Sequence, residues 1–309
     1  MLGRRARGPH VQSPMIADGH GRTRKPMGRT RQGPPPGGRG RGRRPQPGRP
    51  GPRGVAGRTH ARSDARQPIA PESTLRLLEP WGDRAPAIAE QLARYVGLLL
   101  EANRAMNLTA DRTPERQWSR HIEDALLAAT RIESIAGRPG PLTRLIDVGA
   151  SGGSPGLIWA ILWPEARPTL LEATGKKVWF LKEALRRLGL DRADALQGRA
   201  EELAHEPQAR ETFDWASARA LAPLPTLAEW TLPLVKPGGW VFAIKGPEVE
   251  AEIQAARRAF RLLGAPDPPQ RSAYQRPDGR TCHLLAYRKR ERTPSPYPRR
   301  AEVIARLPL

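Results

Sequence analysis

The chain has 309 residues with 52 Lys and Arg against 31 Asp and Glu, a net charge of +21 that points to a polyanionic partner. Its single cysteine, Cys282, excludes an intrachain disulfide and a cysteine-built zinc site. No apolar run approaches the roughly 18 residues of a membrane span, so a cytoplasmic, reducing location without membrane contact is expected.

The charge is uneven along the chain. Residues 1–70 hold 17 Arg and Lys against two acids, Asp18 and Asp64, together with 14 Gly and 11 Pro. Such a segment has too little apolar surface to offset its ordering entropy, so 1–71 reads as a disordered basic tail. Its Gly38-Arg-Gly-Arg-Gly-Arg-Arg44 stretch attracts any polyanion without sequence preference. Next, Ser73 is a candidate helix cap, and Ile88, Leu92, Tyr95, Val96 and Leu99 recur at the spacing of an amphipathic helix ending near Ala105. Asn107-Leu-Thr-Ala breaks it. A second helix, Pro114 to about Ile132, has Thr113 at its N-cap and Pro114 at its first position. These helices form an expected cap over 72–139.

From Leu142 the texture changes to short apolar runs alternating with helical patterns. Strands are expected at Leu145–Val148, Thr169–Leu171, Ala193–Leu196, Phe213–Ser217, Trp240–Ile244 and His283–Tyr287. Helices are expected at Lys176–Leu188, stopped by Gly189, at Leu224–Val235, closed by Lys236-Pro-Gly-Gly239, and at Glu248–Leu263. That alternation predicts an α/β domain over 140–290, a parallel Rossmann-like sheet covered on both faces, followed by a basic C-terminal tail at 291–309.

The most informative stretch is Asp147-Val-Gly-Ala-Ser-Gly-Gly-Ser-Pro-Gly156. A strand, a glycine turn and a helix together make the ligand crevice of a doubly wound sheet. Glu172 follows the second expected strand, 23 residues past Gly149, close to the interval of about 20 at which an acid meets ribose hydroxyls. Three chemistries compete for this loop. Gly149-x-Ser151-x-Gly153 fits a serine hydrolase's nucleophile elbow, with His205 and His283 downstream, but leaves Asp147 and Glu172 unexplained. A dinucleotide oxidoreductase wants a glycine where Ser151 stands, and Asp147 would face a pyrophosphate unfavourably. A carboxylate before the loop instead suits a cationic sulfonium ligand, which favours an S-adenosylmethionine-dependent methyltransferase.

From about Asn103 onward the chain resembles the RsmG family (glucose-inhibited division protein B), bacterial 16S ribosomal RNA guanine-N7 methyltransferases. The matching pieces run in order: Asn107-Leu-Thr109; Arg120-His121 with Asp124; Asp147-Val-Gly with Pro155-Gly156; Leu170-Leu-Glu with Gly175-Lys-Lys177; Gly198-Arg-Ala-Glu-Glu202; Ser217-x-Arg219-Ala220; Leu234-x-Lys-Pro-Gly-Gly239; Lys245-Gly246; and Tyr297-Pro-Arg-Arg-Ala301. The resemblance implies S-adenosylmethionine as cofactor, contacted by Gly149, Ser154, Glu172, Ala200, Glu201 and Arg219. It departs at Ser154 and Leu221, where the family carries Leu and Phe, and at Glu172, where the family carries Asp. It also implies 16S ribosomal RNA or a small-subunit precursor as partner, and a monomer is expected.

Guanine N7 carries a lone pair and no proton, so its methylation needs alignment rather than a general base, and no catalytic dyad is expected. On the RNA side the candidates are His121 and Asp124, three residues apart on one helix face, and Lys245 at a strand end. Lys176 and Lys177 open a helix, where cations oppose the dipole. The tryptophans 118, 159, 163, 179 and 230 sit at helical spacings and read as core. Two other readings stay open: a methyltransferase for another RNA site or a small molecule, and a non-catalytic RNA-binding protein on the same fold.

Overall fold

The computed structural model describes residues 68–309, so the expected tail lies outside the described residues except for its last four. Six helices precede or surround the first strands. α1 (Glu72–Leu78) and a 3-10 turn lead into α2 (Ala85–Met106), which ends on Asn107 in the left-handed conformation. Ser73 does not cap α1. Pro71 holds that position, and the Ser73 hydroxyl instead donates to Glu123 across the cap, joined there by Thr74. The break after α2 is pinned by Asn103, whose amide donates to the Thr109 and Asp111 carbonyls while its oxygen accepts from Thr109 N–H. α3 (Pro114–Gln117) is capped by Thr113, as read, and runs through a π turn into α4 (Glu123–Ala136).

The sheet has seven strands: β1 (Arg144–Val148), β2 (Arg167–Glu172), β3 (Asp194–Gln197), β4 (Phe213–Arg219), β5 (Val235–Lys245), β6 (Gln270–Gln275) and β7 (Thr281–Arg288), in the order β3-β2-β1-β4-β5-β7-β6. β1 to β5 are parallel, but β7 runs antiparallel to both β5 and β6. The expected all-parallel sheet is therefore corrected at one edge. Between them lie α5 (Gly156–Leu162), α6 (Gly175–Leu188), α7 (Ala200–Leu203), α8 (Leu224–Thr231) and α9 (Glu250–Leu262), with α10 (Ala301–Arg306) at the end. The helix expected to reach Val235 stops at Thr231, because Pro233 cannot continue it. Lys236–Gly239, expected to close that helix, lies within β5, where the pairing with β4 is irregular.

Side-chain alternation divides the core into two layers. Leu145, Trp215, Phe242 and Ile244 face the layer that holds α2, α4, α5 and α6. Ile146, Val148, Val241 and Ala243 face α8 and α9 on the other side. The first layer carries an aromatic ladder, Trp159–Trp163–Trp215–Phe242, with ring centroids 5.4 to 5.9 Å apart. The N-terminal helices thus share one core with the sheet rather than resting on its surface.

The C-terminal stretch 291–309 is basic, and it is also bound down. The fully buried Lys289 ammonium donates to Glu211, Thr293 and the Leu232 carbonyl. Arg299 forks onto buried Glu229, and Arg210 donates to the carbonyls of Thr293, Pro294 and Tyr297.

Candidate active site

The strand order reverses between β1 and β4, and a crevice opens there at the carboxyl ends of the parallel strands. The turn after β1 is tight: Gly149 and Ala150 N–H both donate to the Leu171 carbonyl. Gly149 sits at φ +75°, a conformation that strains residues bearing a Cβ, and a Cβ there would also push aside the Leu221 methyl 2.5 Å away. Gly156 admits Asp147 in the same way, since a Cβ would lie 2.6 Å from the Asp147 Cβ.

Asp147 corrects one expectation. It faces the interior, not a cationic ligand: its carboxylate accepts from Ser217 Oγ at 2.7 Å and Gly156 N–H at 2.9 Å. Burial pushes its pKa up to about 6, against the opposing effect of those hydrogen bonds. Asp147 is a clasp that ties both ends of the glycine loop to β4.

Glu172 does face the crevice. Its two oxygens are oriented by Ser151 N–H at 3.1 Å and Thr174 N–H at 2.9 Å, with Lys177 Nζ at 3.8 Å. All six residues expected at a cofactor site, Gly149, Ser154, Glu172, Ala200, Glu201 and Arg219, line one cavity of about 450 Å³. Ser154 Oγ donates to the His121 carbonyl, which links the loop to the helical cap. The cavity is also lined by Trp230, read from spacing as core. Trp230 Nε1 and Glu201 Oε1 are buried, and neither has a hydrogen-bond partner within the described residues. The Arg199 guanidinium approaches Glu201 Oε1 only to 3.7 Å, so the lining holds a donor and an acceptor without hydrogen bonds, which a purine edge would satisfy.

A second cleft of about 520 Å³ adjoins the first and shares Arg219 and Ala220 with it. Arg219 is held from three sides: Nη1 donates to Asp124 at 3.0 Å and to the Arg120 carbonyl at 2.8 Å, and Nη2 donates to His121 Nδ1 at 2.7 Å. His121 therefore offers its Nδ1 lone pair to Arg219 and donates Nε2–H to Asp111 at 3.0 Å. Burial, reinforced by the Arg219 charge, lowers the His121 pKa to about 4, so the ring is neutral at physiological pH. Asp124 also accepts from Tyr274 Oη at 2.8 Å, a residue of β6 that no sequence pattern had marked. Lys245 donates to the Ala222 carbonyl and pairs with Glu252 at 2.6 Å. The Cys282 thiol lines the cleft too, and burial together with the Asp124 charge pushes it up to about 11, far from a thiolate at neutral pH.

The hydrolase arrangement is not assembled. Ser151 Oγ donates to the Leu108 carbonyl, His205 contacts the Pro298 carbonyl, and His283 accepts from Arg271. Among the described residues no cluster of His, Cys, Asp or Glu could hold a metal ion.

The chain is similar in sequence to known proteins over most of the described residues. The family described as GidB, rRNA small subunit methyltransferase G, matches residues 88–271. The chain is 40% identical to ribosomal RNA small subunit methyltransferase G of Moorella thermoacetica over 223 residues, 71% of this chain and 91% of that one. It is 37% identical to the protein of the same name from Rubrobacter xylanophilus over 248 residues, 78% of this chain and 91% of that one. Among solved structures, an O-methyltransferase of Bacillus cereus in complex with SAH is similar at 21% identity and a TM-score of 0.45, over 63% of this chain and 91% of that one. With most of its sheet and helical cap inside the matched range, the chain belongs to the rRNA small subunit methyltransferase G family.

Proposed function

We propose that the protein methylates N7 of a guanine in 16S ribosomal RNA, with S-adenosylmethionine in the 450 Å³ cavity and the guanine in the adjoining cleft. The observation that carries this reading is the junction itself. Two cavities of nucleoside size meet at Arg219 and Ala220, and one of them is walled by an oriented acid, a glycine floor and two buried polar atoms without hydrogen bonds. When bound, S-adenosylmethionine supplies a methyl group activated by its sulfonium.

The chain's own residues would hold and align. Glu172, fixed by two backbone N–H groups, would accept both ribose hydroxyls. Trp230 Nε1 and Glu201 Oε1, which has only the Arg199 guanidinium near it at 3.7 Å and no hydrogen bond, offer a donor and an acceptor for the adenine edge, beside the backbone of Ala200. Gly149 lets the backbone approach closely, and Ser154 and Arg219 lie where the loop meets the second cleft. A guanine N7 has no proton to lose, so the reaction rests on alignment in a desolvated cleft, which is worth about 7–11 kcal/mol. Engagement of the polar groups supports that mechanism. Neutral His121 has both nitrogens bonded, Asp124 is shared by Arg219 and Tyr274, and Lys245 is tied to Glu252. None is free to act as a base. In paired A-form RNA the N7 edge lies in a groove too narrow for side chains, so the target lies in a loop or is splayed out. We take the protein to act as a monomer, and no described helix is long and apolar enough to cross a membrane. We assign the protein to the cytoplasm, with a small-subunit precursor as its partner.

Calorimetry of S-adenosylmethionine binding tests the cofactor half. Glu172→Ala removes charge-assisted bonds of about 1.5–3 kcal/mol each and should weaken binding at least tenfold. Glu172→Asp, which restores the acid, should recover most of it. Unchanged affinity in Glu172→Ala would exclude this cavity.

A further inference from the structure

The tryptophans divide sharply by exposure. Six of the eight, Trp81, Trp118, Trp159, Trp163, Trp215 and Trp240, are buried, Trp230 is half-buried, and Trp179 is 61% exposed. The expectation that Trp179 belongs to the core is thus corrected. α6 buries Val178, Phe180, Leu181, Ala184, Leu185 and Leu188, and Trp179 lies on the opposite side of that apolar stripe. The indole therefore presents most of its ring to solvent, where it can be reached by a partner.

Its neighbours say which kind. Lys176, Trp179, Lys182 and Arg186 follow at intervals of three, three and four and form one exposed row along α6, about 15 Å long at the helical rise per residue. Arg186 is engaged with Glu183. Lys176 and Lys182, one turn to either side of the indole, have no acidic partner among the described residues. An aromatic face between two unpaired ammonium groups fits a nucleotide strand: a base stacks on the ring while the flanking phosphates meet the cations. The row also starts at the mouth of the cofactor cavity, because Lys177, in the first turn of α6, lines it beside Glu172.

We propose that this face of α6 is a docking surface for unpaired nucleotides of the RNA substrate, with one base stacked on Trp179 and phosphates held by Lys176 and Lys182. The inference rests on the reading of the protein as an RNA methyltransferase. It also meets that reading's need, since a target splayed from its helix leaves neighbouring bases unstacked. The occupant is single-stranded RNA, not a protein: a protein-docking face would set apolar residues around the indole, whereas this row sets cations there.

The test is a binding titration of the full-length protein with a short single-stranded RNA and with the matching duplex, in a few hundred millimolar salt, where general attraction is screened. Trp179→Ala should weaken single-strand binding by about 5- to 100-fold, Trp179→Phe by less, and duplex binding not at all. S-adenosylmethionine affinity should stay unchanged in both variants. The salt dependence should also stay unchanged for Trp179→Ala, because stacking releases no counterions. In a Lys176→Ala/Lys182→Ala variant its slope should fall by about 1.4. Equal single-strand affinity of Trp179→Ala and wild type would overturn the proposal. So would a Trp179→Ala effect confined to self-association in sedimentation, which would give the face to a second copy. Failure of the wild type to bind RNA would instead overturn the assigned function, and this surface with it.

Discussion

Replacing Arg219 by Met removes the cation on which three segments of the chain converge. In the folded protein its guanidinium pairs with Asp124 at 3.0 Å and meets His121 Nδ1 at 2.7 Å, and the Asp124 side chain is almost completely buried. Met fills much of the same volume, so the main effect is an uncompensated carboxylate in the core. Breaking a buried pair from one side costs about 3–5 kcal/mol. The Tyr274 hydroxyl still donates to Asp124 at 2.8 Å, which places the expected loss toward the lower end. For a folded region of this size each kcal/mol moves the melting temperature by about 2–4 °C, so Arg219→Met should melt some 6–15 °C below wild type. Asp124→Asn removes the stranded charge, and the Arg219→Met/Asp124→Asn double variant should regain about 2–3 kcal/mol over Arg219→Met alone. The assay is thermal and urea unfolding of all four proteins at neutral pH. A histidine titration followed by NMR adds a second readout: with the Arg219 charge gone, the His121 pKa should rise from about 4 toward its ordinary value. A loss under about 1 kcal/mol, or no rescue by Asp124→Asn, would refute the idea that this network clamps the site.

The remaining perturbations probe the clasp and the two buried bases. Asp147→Ala strands the Gly156 N–H and the Ser217 hydroxyl in the interior and should cost about 2–5 kcal/mol in urea unfolding, whereas Asp147→Asn, which can still accept from one and donate to the other, should cost far less. His121 has a lowered folded pKa of about 4, so its stabilising contribution is complete above its unfolded value near 6.5 and is lost as pH falls toward 4. That loss should reach about 3 kcal/mol and be absent from His121→Gln, read as unfolding free energy against pH. Lys289 is lowered to about 8, chiefly by burial, so its cost is full below pH 8 and is relieved as pH rises toward 10.5. The stability of wild type relative to Lys289→Met should therefore grow by about 3 kcal/mol across that window.

What the sequence made legible was the part governed by local rules. The glycine loop, Glu172 at the end of β2 and the left-handed stop at Gly189 each follow from backbone geometry that only a few residue types satisfy. The antiparallel edge was missed because β6 exposes nearly every side chain except Tyr274, so it shows no apolar alternation. Pro277-Asp278-Gly279 between β6 and β7 was the available signal for that hairpin. The Arg219 network could not be read, since its members come from residues 111, 121, 124 and 274, and pairing across such separations leaves no local trace. The inward turn of Asp147 is equally hidden, since spacing places a residue beside a loop without saying which way it turns. Helical spacing alone does not place Trp179, because a helix repeats on all its faces; its position relative to Val178 and Leu181 decides the side.

On the proposed function, one guanine of 16S ribosomal RNA receives its methyl group on N7 from the cavity walled by Glu172. Purified protein is incubated with isotopically labelled S-adenosylmethionine and either 16S ribosomal RNA or small subunits lacking the modification. The labelled nucleotide is then identified by mass spectrometry of nuclease fragments. A single labelled guanine, carrying the methyl on N7, is expected with wild type and with Glu172→Asp, and loss of label with Glu172→Ala. Label on another base or another guanine atom, or undiminished labelling by Glu172→Ala, would contradict it.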